Sequence, residues 1–91
     1  MSIEARQQVQ IVNRLGLHLR AAAQFVKLAN QFACEVMVQN QGRSVNGKSI
    51  MGLATLAAAQ GSEIVILTRG DGCDGALQAL VALVEDGFGE E

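Results

Sequence analysis

The period of the apolar residues changes along this chain, and that change constrains the fold more than any other feature. Ile3, Ala5, Val9 and Ile11 fall on one side of a two-residue repeat, with Arg6, Gln8 and Gln10 on the other, the pattern of a strand with one wet face. Asn13-Arg14-Leu15-Gly16-Leu17 leaves the strand, and Ala22, Phe25, Val26, Ala29 and Phe32 then recur at helical spacing. This predicts a helix from His18 or Leu19 to Gln31 that buries its stripe against the strand's apolar face.

Glu35 to Asn40 alternates Val36 and Val38 against Met37 and Gln39, and Gln41-Gly42 turns it into a short return strand, Arg43 to Val45. Ser49 stands where a helix cap belongs, followed by Ile50, Leu53, Ala54 and Ala57 at a helical period, with Leu53 and Ala57 facing inward and Gly61 as the stop. Glu63 to Thr68 is almost continuously apolar and β-branched, as in an interior strand. Arg69-Gly70-Asp71-Gly72 leads to a last helix capped by Asp71 or Asp74, which buries Leu77, Leu80, Val81 and Val84 and stops at Gly87, leaving residues 88–91 to fray.

The order β-α-β-β-α-β-α, with polar residues on one side of the outer strands, predicts an α+β fold in which three helices cover one face of a four-stranded antiparallel sheet. With 91 residues there is room for one domain and one core, spanning 1–91, with no linker or repeat.

Composition narrows the function. A net charge of −2, no Trp, no Tyr and no basic run argue against nucleic acid as a partner, and no apolar run approaches the roughly 18 residues that a membrane span requires. No secretory signal is recognisable at Met1-Ser2-Ile3-Glu4, and Cys34 and Cys73 lack metal-ligand spacing, so a reduced cytoplasmic protein with two ordinary thiols and no metal or cofactor is expected. Paired carboxylates, a Walker-type loop and a Ser-His-Asp set are also absent, which argues against a stand-alone enzyme.

One address invites chemistry. His18 is the only histidine, placed where strand gives way to helix, one residue beyond Gly16-Leu17 and two before Arg20. A helix start offers unpaired amides and partial positive charge, so a phosphoryl group on His18 could be held by backbone N–H groups near Leu19, with a charge-assisted hydrogen bond from Arg20. By spacing alone, a solitary histidine at a helix start is more often a simple cap or surface residue.

Gly16-Leu17-His18-Leu19-Arg20-Ala21-Ala22 resembles the active-site segment of HPr, the histidine-containing phosphocarrier family of the bacterial phosphotransferase system. Val45-Asn46-Gly47-Lys48-Ser49-Ile50-Met51-Gly52-Leu53 resembles that family's regulatory serine region, and Gln60-Gly61-Ser62-Glu63-Ile64 continues the likeness. The resemblance implies an open-faced β-sandwich in which Nδ1 of His18 takes a phosphoryl group from enzyme I, charged by phosphoenolpyruvate, and passes it to an enzyme IIA domain. It also implies that Gly16, Leu19 and Arg20 bind phosphate and that Ser49 is a regulatory phosphorylation site for a serine kinase/phosphorylase. Docking of partners, including a transcriptional regulator, falls to Leu19, Ile50, Met51 and Ala54, with a monomer as the acting form.

The family usually reads His-Ala-Arg-Pro-Ala at this segment, whereas Leu19 and Ala21 stand here, in a chain with no proline at all. Alanine keeps the helix, while the bulk of Leu19 beside His18 bears on partner choice, leaving sugar uptake and a regulatory or nitrogen-related phosphotransfer chain both open. Two other classes compete with the carrier. One is a regulatory interaction protein controlled through Ser49, against which the retention of both His18 and Arg20 argues. The other is a small-ligand-binding regulatory domain, for which a glycine-rich ligand loop is missing.

Overall fold

A computed structural model describes residues 3–90. The strands are β1 (Glu4–Gln10), β2 (Glu35–Asn40), β3 (Arg43–Asn46) and β4 (Glu63–Arg69), and the helices are α1 (Leu19–Ala29), α2 (Ile50–Leu56) and α3 (Cys73–Glu85), followed by a 3₁₀ turn at Gly87–Gly89. The strands lie in the order β1-β4-β2-β3, every pair antiparallel. β4, the most apolar of the four, takes an interior position because its backbone must pair on both sides away from water.

Register follows the two-residue alternation. Val9 stands opposite Ile64, and Val38 stands between Val45 and Ile66, so these side chains point together toward the helices. The opposite face is open, and across it Arg69 reaches both Glu4 at 3.2 Å and Glu35 at 3.7 Å. Such exposed pairs contribute at most about 1 kcal/mol each. Ile3 stands outside β1 and is exposed, so the inward row begins at Ala5, which packs against the core.

The helices bury the expected stripes: Ala22, Phe25, Val26 and Ala29 from α1, and Leu77, Leu80, Val81 and Val84 from α3. Phe32, half-buried, packs at the edge of this core, and Cys34 and Cys73 are free thiols inside it. Three boundaries differ from the sequence reading. α2 ends at Leu56, not near Gly61, because Ala57 adopts left-handed backbone at φ 51°, and it is Leu56 that turns inward while Ala57 is exposed. α3 has no side-chain cap: Gly72, at φ 76°, occupies the cap position, and Asp74 instead places its charge in the positive first turn.

The third difference bears most on function. Residues 88–90 do not fray, and Glu91 lies outside the described residues: Phe88 is 1% exposed and belongs to the core. It holds left-handed backbone at φ 57°, between Gly87 and Gly89, which also have positive φ. Burial of a phenyl ring stabilises by roughly 1.5–3 kcal/mol, comparable to the roughly 1–3 kcal/mol of backbone strain at such a residue. The segment therefore returns to the body of the molecule and carries Glu90 with it.

Candidate active site

The loop that delivers His18 is tied down from both sides. Ile11 N–H donates to Ser62 O (2.8 Å), Gly61 N–H to Ile11 O (2.8 Å) and Leu17 N–H to Ala58 O (2.8 Å), while the Gln60 amide donates to Val12 O (3.0 Å). Gly16 has φ +69°, and a Cβ there would stand 2.5 Å from the Ala58 carbonyl oxygen, so only glycine lets the loop approach the α2–β4 connection this closely. Its own amide donates to Asn13 O at 3.1 Å, so Gly16 serves the site through this turn.

His18 caps α1 from extended backbone at φ −77° and ψ 178°. Its Nδ1 accepts from the Arg20 amide at 3.2 Å, and its Nε2 lies 2.6 Å from Oε2 of Glu90. An amide can only donate and a carboxylate can only accept. Both bonds are therefore satisfied at once by the ring form that has a bare Nδ1 and a proton on Nε2. The ring side chain remains 23% exposed, and Nδ1 looks toward the first amides of α1, which have no partner within the helix.

Asn13 completes the arrangement. It is 1% exposed, and its amide donates to Gly16 O at 2.8 Å and to Oε1 of Glu90 at 3.0 Å. With two acceptors on one side, the amide orientation is fixed, and Oδ1 is left buried without a hydrogen bond. An unmet acceptor of this kind costs about 1–3 kcal/mol. Burial beside the site opposes ionisation of Glu90, but the hydrogen bonds from Asn13 and His18 and the positive charge of Arg20 outweigh it, so its carboxyl titrates below its ordinary value of 4.5.

Arg20, Arg14, Leu15, Gln60 and Glu90 line an open recess of about 550 Å³ beside the ring. Two guanidiniums facing one recess suit an anion better than any uncharged ligand. The parts present are a nucleophilic ring nitrogen, the amides of a helix start and fixed positive charge.

Ser49 caps α2, its hydroxyl accepting from the Gly52 amide at 3.0 Å. Leu19 (60% exposed), Met51 (68%) and Ile50 (37%) present apolar side chains at the first turns of α1 and α2, two helices that pack on each other. Ala54 is half-buried, and Leu15 and Val12 add exposed apolar surface that periodicity had not singled out. Asn13, Arg14, Gln60 and Glu90 are the site residues that sequence reasoning missed. Only Arg14, four residues before His18, left any local signal there.

Comparison with known proteins shows the family. Residues 5–86 match the family described as the PTS HPr component phosphorylation site. The chain is 47% identical over 85 residues to the phosphocarrier protein HPr of Neisseria meningitidis serogroup A, covering 93% of this chain and 96% of that protein. It is 44% identical over 78 residues to the HPr-like protein Crh of Halalkalibacterium halodurans, covering 86% and 93%. Its structure is similar to that of HPr from Thermoanaerobacter tengcongensis, with a TM-score of 0.91 and 40% identity over 96% of this chain and 98% of the other.

Proposed function

Since the chain belongs to the HPr family and is a phosphocarrier of the phosphotransferase system, we propose that His18 is the residue that carries the phosphoryl group. The observation that supports this most directly is the cap geometry: a bare Nδ1 3.2 Å from the Arg20 amide, at a helix start bordered by Arg14 and Arg20. A phosphoryl group on Nδ1 would take over those amides and draw charge-assisted hydrogen bonds from Arg20. The transfer needs no metal or cofactor, because the donor's own activated phosphoryl bond drives it.

Enzyme I is the donor and an enzyme IIA domain the acceptor in this reading, both drawn from the phosphotransferase system in which the family works. Leu19, Ile50, Met51 and Ala54 form the docking surface, small and apolar as suits short-lived contacts with several partners. A monomeric, cytoplasmic protein keeps that surface free. Ser49, beside the same surface, is a regulatory site, where a phosphate would be tolerated by the helix start while adding roughly −1.5 to −2 charges. A second reading, a regulatory interaction protein of the same fold controlled by phosphorylation of Ser49, has weaker support in the likeness to an HPr-like protein.

The deciding experiment is incubation with enzyme I and phosphoenolpyruvate, followed by intact mass and phosphorus NMR, on the wild type and on His18→Ala. An acid-labile adduct of about 80 Da that depends on His18 is expected. Absence of an adduct on the folded wild type, with enzyme I from the same cell, would shift the assignment to the regulatory reading.

A further inference from the structure

We propose that Glu90 is a positioning residue of the carrier site: anchored by Asn13, its carboxylate holds the proton of His18 on Nε2 and so keeps the Nδ1 lone pair available to the incoming phosphoryl group. This rests on His18 being the acceptor.

Three independent observations converge on it. The carboxylate meets the ring at 2.6 Å on the nitrogen opposite the reacting one. Its other oxygen is bound at 3.0 Å by Asn13, a buried side chain that leaves its own Oδ1 unsatisfied while making this bond and the 2.8 Å bond to Gly16 O. The backbone that delivers Glu90 is also fixed, by the buried ring of Phe88 in left-handed conformation. A surface carboxylate that met His18 by chance would need neither the buried asparagine nor the anchored phenylalanine.

The arrangement follows the logic by which a carboxylate behind an imidazole fixes its tautomer in nucleophilic sites. In the transfer, the Nδ1 lone pair forms the bond to phosphorus, and the bond from phosphorus to the donor breaks with its electron pair leaving on the donor. The Nε2 proton stays in place throughout. The phosphorylated ring then carries positive charge, which the carboxylate neutralises at a distance already set. Passing the group on reverses the sequence, with the electron pair returning to Nδ1.

The test uses the full-length protein with Glu90→Ala, Glu90→Gln and a control, Glu85→Ala, at the exposed end of α3. Long-range proton–nitrogen correlation spectra of the unphosphorylated protein report the tautomer of His18, and enzyme I assays report transfer. We expect the Nε2–H form to predominate in the wild type and the control. In Glu90→Ala the tautomers should mix and kcat/KM for phosphorylation should fall roughly 10-fold, as when an orienting carboxylate behind a histidine is lost, with Glu90→Gln intermediate. An unchanged tautomer, or transfer within twofold of wild type, in Glu90→Ala overturns the inference while leaving His18 as carrier. A wild type that accepts no phosphoryl group at all overturns the carrier assignment itself, and this inference with it.

Discussion

The Ala58 carbonyl oxygen receives the Leu17 amide at 2.8 Å and lies 2.5 Å from where a Cβ on Gly16 would stand. One backbone oxygen thus holds the loop before His18 and excludes any side chain at Gly16. Gly16→Ala adds strain from positive φ to a collision with backbone, and a loss of about 2–4 kcal/mol of stability is expected. Urea unfolding measures it, and a loss under 1 kcal/mol would show that the loop can move away at little cost.

Phe88 separates an anchored segment at residues 88–90 from a frayed one. Phe88→Ala removes a buried ring at a cost of about 3 kcal/mol, and it should release Glu90 from the ring of His18. Amide exchange at residues 87–90 should then rise to the rate of unprotected peptide. Wild-type protection at those amides in the variant would contradict the anchoring role.

Titration of Glu90 has a definite sign. Its folded-state carboxyl lies below the ordinary 4.5, so the tether contributes fully above that value and is lost as pH falls through the depressed folded value. The carboxyl carbon of Glu90, followed by NMR, should titrate below 4.5 and carry the His18 ring signals with it, and Glu90→Gln should abolish that shared step. A midpoint at or above 4.5 would mean that burial wins over the hydrogen bonds.

Ser49 distinguishes a cap from a switch. Ser49→Ala removes the acceptor for the Gly52 amide and should cost about 1 kcal/mol. Ser49→Asp keeps an acceptor at the helix start and should fold normally, yet it should slow phosphorylation by enzyme I through the added charge beside Met51. Equal transfer rates for Ser49→Asp and wild type would remove the regulatory role.

Met51 is the most exposed of the large apolar residues among the described residues, at 68%. Met51→Glu should leave the melting temperature within about 4 °C of wild type, since surface changes usually stay within about 0.5 kcal/mol. It should raise the KM for this protein in the enzyme I assay severalfold or more. An unchanged KM would place docking elsewhere on the surface.

The strands, the buried stripes of α1 and α3, the Ser49 cap and the place of His18 at a helix start were all legible from the chain. Each depends on spacing within one element, where the two-residue and helical periods act. Element ends were less so: Ala57 terminates α2 because its tertiary position brings the next carbonyl to Leu17, and no local turn residue announces that. The tertiary structure alone decided that Glu90, 72 positions after His18, meets Nε2. It also decided that Asn13 faces inward to hold that carboxylate. A short polar and glycine-rich end reads as a frayed tail when weighed locally, because the burial of Phe88 that overrides this exists only once three helices and a sheet have made a core for it.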